Sequence, residues 1–120
     1  MNMKLNSFKE LVYLKEMATI VRTNDYRITL YPEPLGNPSF HLIYKNDWEI
    51  VLQIKDFKII EVKGKAPFKK NTYLPTNIKK ELIDILTTIK GKWLVWDFLL
   101  HTWNENNPEY EVDINLDIPR

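Results

Sequence analysis

Apolar and polar residues along this chain alternate between two periods, and the points where the period changes divide it into elements. Ser7-Phe8-Lys9-Glu10 has the spacing of a capping box, in which the serine oxygen accepts from a backbone N–H and the glutamate reaches back. Phe8, Leu11 and Val12 follow as a short stripe, which predicts a helix over 8–17. Strands are predicted over 18–23 and 26–31 around an Asn24-Asp25 turn, with Tyr26, Ile28 and Leu30 alternating against Arg27, Thr29 and Tyr31. Pro32, Pro34, Gly36 and Pro38 make 32–38 a stiff loop short of the N–H donors that a ladder needs.

The richest stretch is 40–63. It reads as strands over 40–44, 48–54 and 57–62, joined by turns at Lys45-Asn46-Asp47 and Lys55-Asp56. A two-residue first turn pairs His41 with Leu52 and sets a histidine on the apolar face. A three-residue turn, with Asn46 or Asp47 left-handed, pairs Leu42 with Ile50 and Phe40 with Leu52. The second register gathers Phe40, Leu42, Tyr44, Trp48, Ile50, Leu52 and Ile54 on one face. Because a one-residue slip moves every side chain across the sheet, burial selects it. His41, Glu49 and Gln53 then share the other face with Ile43 and Val51, and the imidazole is expected to stay wet there.

Residues 63–75 read as a loop. Thr76 or Asn77 is expected to cap a helix whose Ile78, Leu82, Ile85, Leu86 and Ile89 fall on one face, with Gly91 ending it. A second helix is predicted over 93–103, apolar nearly all round and therefore central, ending in 104–108. The tail 109–118 alternates Tyr110, Val112, Ile114, Leu116 and Ile118 with acids, the pattern of an edge strand with its charges outward. The fold class is α+β: an N-terminal helix, an antiparallel meander of four or five strands, two C-terminal helices packed on one sheet face, and a strand-like acidic tail.

Composition narrows the class. At 120 residues and 44% apolar the chain is expected to be one domain, 1–120, and 12% aromatic residues exclude a disordered chain. No cysteine means no disulfide frame, thiolate metal site or cysteine nucleophile, which suits a reducing cytoplasm. Charges interrupt the N-terminal stretch, so a signal peptide is not expected. The apolar run 93–100, broken by Asp97, is too short to span a bilayer. The net charge of +1 hides a segregation. Residues 55–80 carry eight lysines against Asp56 and Glu61, and 104–120 carry five acids against Arg120. The only arginines are Arg22, Arg27 and Arg120, which counts against reading of base edges.

Candidate chemistry is sparse. His41 has two readings: a general acid–base or ligand beside Glu49 and Gln53, or a part-buried polar group bonded to the proline loop, which is the ordinary fate of a lone histidine. His101 lies one turn from Asp97, a spacing that suits a helix-face hydrogen bond. With two histidines and no cysteine, neither a metal nor a cofactor is expected. Lys63, Lys65, Lys69 and Lys70 interleave with Phe68 and Tyr73, a combination that can hold phosphates and stack a base. Glu109, Glu111 and Asp113 can imitate the charge of phosphates toward a partner, or simply keep an edge strand soluble. Trp93, Trp96 and Trp103 recur at helical spacing and read first as core. No Walker loop, Gly-x-Ser-x-Gly or His-Glu-x-x-His is present.

Ile28-Thr29-Leu30-Tyr31 followed by Asn37-Pro38-Ser39-Phe40-His41-Leu42-Ile43 resembles a widespread group of small bacterial and mobile-element proteins of unknown function, some found in toxin–antitoxin-like gene pairs. The group's pattern is a strand ending in tyrosine, then Asn-Pro-Pro-His-Phe-His-Val, then a hairpin, a Leu-Pro loop and C-terminal helices with a tryptophan. The segments 48–62, Leu74-Pro75 and 93–103 are similar to those later parts. Here Ser39 stands where the pattern has its first histidine, so no His-x-His pair survives at this site. The resemblance implies a mixed fold and a mobile-element setting, and no settled activity.

The leading expectation is a small non-enzymatic protein-interaction module encoded by a phage or mobile element, an inhibitor or antitoxin-like accessory protein. The alternative is an RNA- or nucleotide-binding protein, a weak ribonuclease-type toxin using Lys65, Lys69, Lys70, Tyr73 and His41. A protein is thus the first partner expected, RNA or a nucleotide the second, and a membrane is not.

Overall fold

The computed structural model describes residues 18–31 and 37–120. The predicted helix over 8–17 lies outside the described residues, as does the middle of the proline loop. Period-2 segments pair in chain order into a five-stranded antiparallel meander: β1 (Ala18–Arg22), β2 (Tyr26–Leu30), β3 (Ser39–Tyr44), β4 (Trp48–Gln53) and β5 (Ile59–Gly64). Leu42 faces Ile50 and Phe40 faces Leu52, the register that burial demands. The left-handed residue of that turn is Lys45, at φ 48°, rather than Asn46 or Asp47. Asp47 is held at both backbone groups, its N–H donating to Tyr44 and its carbonyl accepting from Lys65, so the sharp bend falls earlier.

Two irregularities tune the sheet. A register shift between Thr19 and Val21 accompanies the complete burial of Ile20, whose carbonyl accepts from the Lys90 ammonium. Phe57 does not open the last strand as predicted. It sits at φ 63° in a wider turn, where the Asp56 carboxylate accepts from the Lys58 N–H, and its ring is buried edge-on to Phe40 and Trp96.

The first helix, α1 (Thr76–Leu86), begins directly after Pro75 with no side-chain cap, so neither Thr76 nor Asn77 serves as one. It also stops five residues before Gly91. There the Thr87 and Thr88 hydroxyls donate to the carbonyls of Ile83, Asp84 and Ile85, and the Thr88 N–H turns to the Ile85 carbonyl, three residues back, so the last turn tightens. Gly91, at φ 66°, instead turns a short hairpin of β6 (Ile89–Lys90) and β7 (Trp93–Leu94), which leaves Ile89 67% exposed. The second helix, α2 (Val95–Asn106), buries Val95, Trp96, Leu99, Leu100 and Trp103. One continuous core joins these to Leu82 and Leu86 of α1 and to Ile28, Phe40, Leu42, Ile50 and Leu52 of the sheet, so both helices serve the same sheet face.

The acidic tail is not a strand. It runs beside α2 as a strap, because its apolar residues Val112, Leu116 and Ile118 pack against the core instead of pairing with a sheet edge. Buried indoles need an acceptor, and the strap supplies them: Trp96 Nε1 donates to the Leu116 carbonyl at 2.7 Å and Trp103 Nε1 to the Tyr110 carbonyl at 2.9 Å. The Asn104 amide both donates to and accepts from the Val112 backbone, as a neighbouring strand would. Among the described residues no helix is long and apolar enough to cross a membrane.

Candidate functional site

The register that buries Leu42 sends His41 to the opposite face, across from Thr29 and Val51. Its Nδ1 lies 2.5 Å from Glu49 Oε2, Lys63 Nζ lies 3.9 Å from the same oxygen, and the ring packs at 4.4 Å on Tyr31. The imidazole is only 6% exposed, against the expectation of a wet one. Thr29, Ser39 and Val51 around it are buried too, so this part of the face is interior. A general acid–base must reach a substrate, and His41 presents little surface to one. The arrangement instead reads as a structural hydrogen-bonded pair. Near it the Thr29 and Ser39 hydroxyls and Arg27 Nε are buried without a hydrogen-bond partner.

The lysines of the loop all lie at the surface. Lys63, Lys65, Lys69 and Lys70 are exposed. The loop itself is stitched down: Lys65 N–H donates to Asp47, Ile59 N–H to Thr72 and Asn71 N–H to Ile59, with Asn71 in the left-handed region it tolerates well. The two rings of the segment divide. Phe68 turns inward, edge-on to Trp48 at 5.0 Å, while Tyr73 turns out and is 60% exposed. Glu109, Glu111 and Asp113 are exposed on the strap. Trp93 leaves the core and meets His101 edge-on at 4.5 Å, because the helix starts only at Val95 and the spacing that linked Trp93 to Trp96 is no longer helical.

The structure brings together a set that sequence reasoning left dispersed. Tyr26 pairs with Tyr44 and Tyr44 with Trp48, which lines three rings in a row across the end of β2, β3 and β4. Tyr26 and Tyr44 are tilted at 5.1 Å, Tyr44 and Trp48 are stacked at 5.2 Å, and Phe68 closes on Trp48. These rings line an open hollow of about 360 Å³, walled by Pro67, Pro75 and Ile78, with Asp25 and Glu81 also at its lining. The Tyr26 hydroxyl donates to Glu81 Oε2 at 2.5 Å. Burial, then that hydrogen bond and the charge of Glu81, push the hydroxyl's pKa well above the ordinary tyrosine value. Lys45 Nζ sits 5.2 Å over the Tyr44 ring and 3.7 Å from Asp25, and these neighbours, the ring's hydroxyl first, hold its pKa above the usual lysine value.

Tyr44 and Trp48 were legible as core-face residues, and Tyr26 as an alternating strand position. The signal that unites them is register: all three fall on the same row once β2, β3 and β4 pair. Phe68 and Glu81 carry no such mark, because a loop and a helix bring them in from a distance. Among the described residues no group of three histidine, aspartate or glutamate side chains is gathered to hold a metal ion. No family model, curated protein or solved structure matches the chain.

Proposed function

We propose that this protein is a small non-catalytic interaction module, an inhibitor or antitoxin-like accessory protein of a phage or mobile element, which engages a partner protein through the aromatic hollow and the lysine loop beside it. The observation that carries this reading is the part-exposed pair Tyr44 and Phe68, backed by the buried Tyr26 and Trp48, along an open hollow. Rings bring large apolar area at small conformational cost, and clustered rings are where binding energy concentrates at protein interfaces. The test is capture from nuclease-treated host lysate on immobilised protein. Wild type is expected to retain one partner in stoichiometric amount, and Tyr44→Ala with Phe68→Ala to lose it. Capture of nothing, or capture indifferent to both substitutions, overturns the reading.

A second reading has one observation in its favour. Tyr73 is exposed a few residues from Lys69 and Lys70, with its ring open to stack a base while ammonium groups meet phosphates. Under it, the triple substitution of Lys65, Lys69 and Lys70 by alanine abolishes retention on single-stranded RNA and flattens its salt dependence. Unchanged retention discards it.

A further inference from the structure

We infer that the aromatic hollow receives the guanidinium of an arginine on the partner, from a segment whose flanking residues are acidic; this rests on the interaction reading above and adds what the partner must carry. Aromatic faces are negative at their centres and attract cations, most strongly where water is partly excluded. Here the part-exposed Tyr44 ring, with the buried Tyr26 and Trp48 beside it, meets two carboxylates, Asp25 and Glu81, at one hollow. Glu81 gives one oxygen to the Tyr26 hydroxyl, and among the described residues no cation lies within ion-pair distance of it. The chain already shows how this edge treats a positive charge. Its own Lys45 lies over the Tyr44 ring beside Asp25, and that side chain is still 52% exposed and so displaceable.

Arginine fits better than lysine. Its flat, weakly hydrated head can lie on a ring while a fork of five N–H donors serves carboxylates in different directions, which a compact ammonium does not do. Pro67, Pro75 and Ile78 offer apolar walls to the methylene stem, and about 360 Å³ accommodates a side chain with part of its backbone. The flanks follow from charge. The same loop that lends Pro67 and Phe68 to the hollow exposes Lys65, Lys69 and Lys70, and a bare cation approaches such a surface poorly. An arginine between acidic residues satisfies both.

The test uses the full chain and two capped pentapeptides, one with arginine between paired glutamates and one with citrulline, its neutral isostere, in the same place. Tryptophan fluorescence and the Trp48 indole signal in NMR report binding. The arginine peptide is expected to bind at least about tenfold more tightly, as the loss of a charged partner implies. Glu81→Gln keeps an acceptor for Tyr26, so it preserves the packing while weakening the arginine peptide severalfold and leaving the citrulline peptide unaffected. Lys45→Gln removes the cation beside Asp25 and over the Tyr44 ring and is expected to tighten the arginine peptide. Equal binding of both peptides, or an arginine affinity indifferent to Glu81→Gln, overturns the assignment. A lysine version that binds as tightly as the arginine one also overturns it. If partner capture depends on Tyr44 while the peptides are not distinguished, only the arginine assignment falls. If the peptides are distinguished and capture fails, the interaction reading falls alone.

Discussion

Thr29 and Ser39 bury hydroxyls with no partner on the face that also holds His41, and such a group costs roughly 1–3 kcal/mol. Thr29→Val keeps the β-branched shape that a strand favours and deletes the unsatisfied oxygen, so a gain of about 1 kcal/mol is expected from urea unfolding. A loss there means that the hydroxyl has a partner in solution. Tyr26 makes a pH prediction. Its hydroxyl has a raised pKa in the folded state, so the unfolded chain gives up that proton first. The contribution is whole below the ordinary tyrosine value of 10.0 and is lost as pH rises through the higher folded one. Tyr26→Phe is therefore expected to flatten the alkaline fall in stability, read from urea midpoints between about pH 8 and about pH 11. Gly64 is required at its position. At φ 75° a Cβ there lies 2.7 Å from the Asp47 carbonyl, so Gly64→Ala is expected to cost about 2 kcal/mol in the same measurement. None of the three is marked in the sequence, since each depends on atoms brought from another strand or helix.

At the scale of elements, the strands were the legible part. The alternation over 26–31 and 40–54 determines both which residues pair and which face is buried, because a wrong register exposes an entire apolar row. Helix ends were harder. The apolar spacing of Ile78 to Ile89 continues past Leu86, but the helix ends there in a tightened turn that the Thr87 and Thr88 hydroxyls also bond, and spacing alone carries it on. The tail misled for a related reason. Alternation shows that one side of a segment is buried and says nothing of what buries it, and here the cover is α2 with its indole donors. Asn104→Ala removes both bonds to Val112, and is expected to lower stability by about 1–2 kcal/mol and to open residues 110–118 to proteolysis and amide exchange. A tail that stays protected in that variant shows that the apolar contacts of Val112 and Leu116 suffice without it.

For the whole molecule, one core couples the sheet to both helices, so damage at its centre is felt as global loss. Leu100 is fully buried on α2, and Leu100→Ala is expected to cost about 2–5 kcal/mol, with far-ultraviolet and tryptophan signals melting together. Separate transitions indicate that α2 and its strap detach from the meander on their own. The candidate hollow also belongs to this scale. Its three sheet rings are a consequence of register, but Phe68, Pro67 and Glu81 arrive only when the loop folds back and α1 docks. The α+β class, the central register and the face that takes the helices all follow from local periodicity plus the cost of exposing apolar rows, and both act on neighbours in the chain. The indole-bound strap and the assembly of rings and carboxylates around one hollow were decided by packing between distant segments. Linear spacing does not encode such contacts, because they form between surfaces that exist only after the elements themselves have folded.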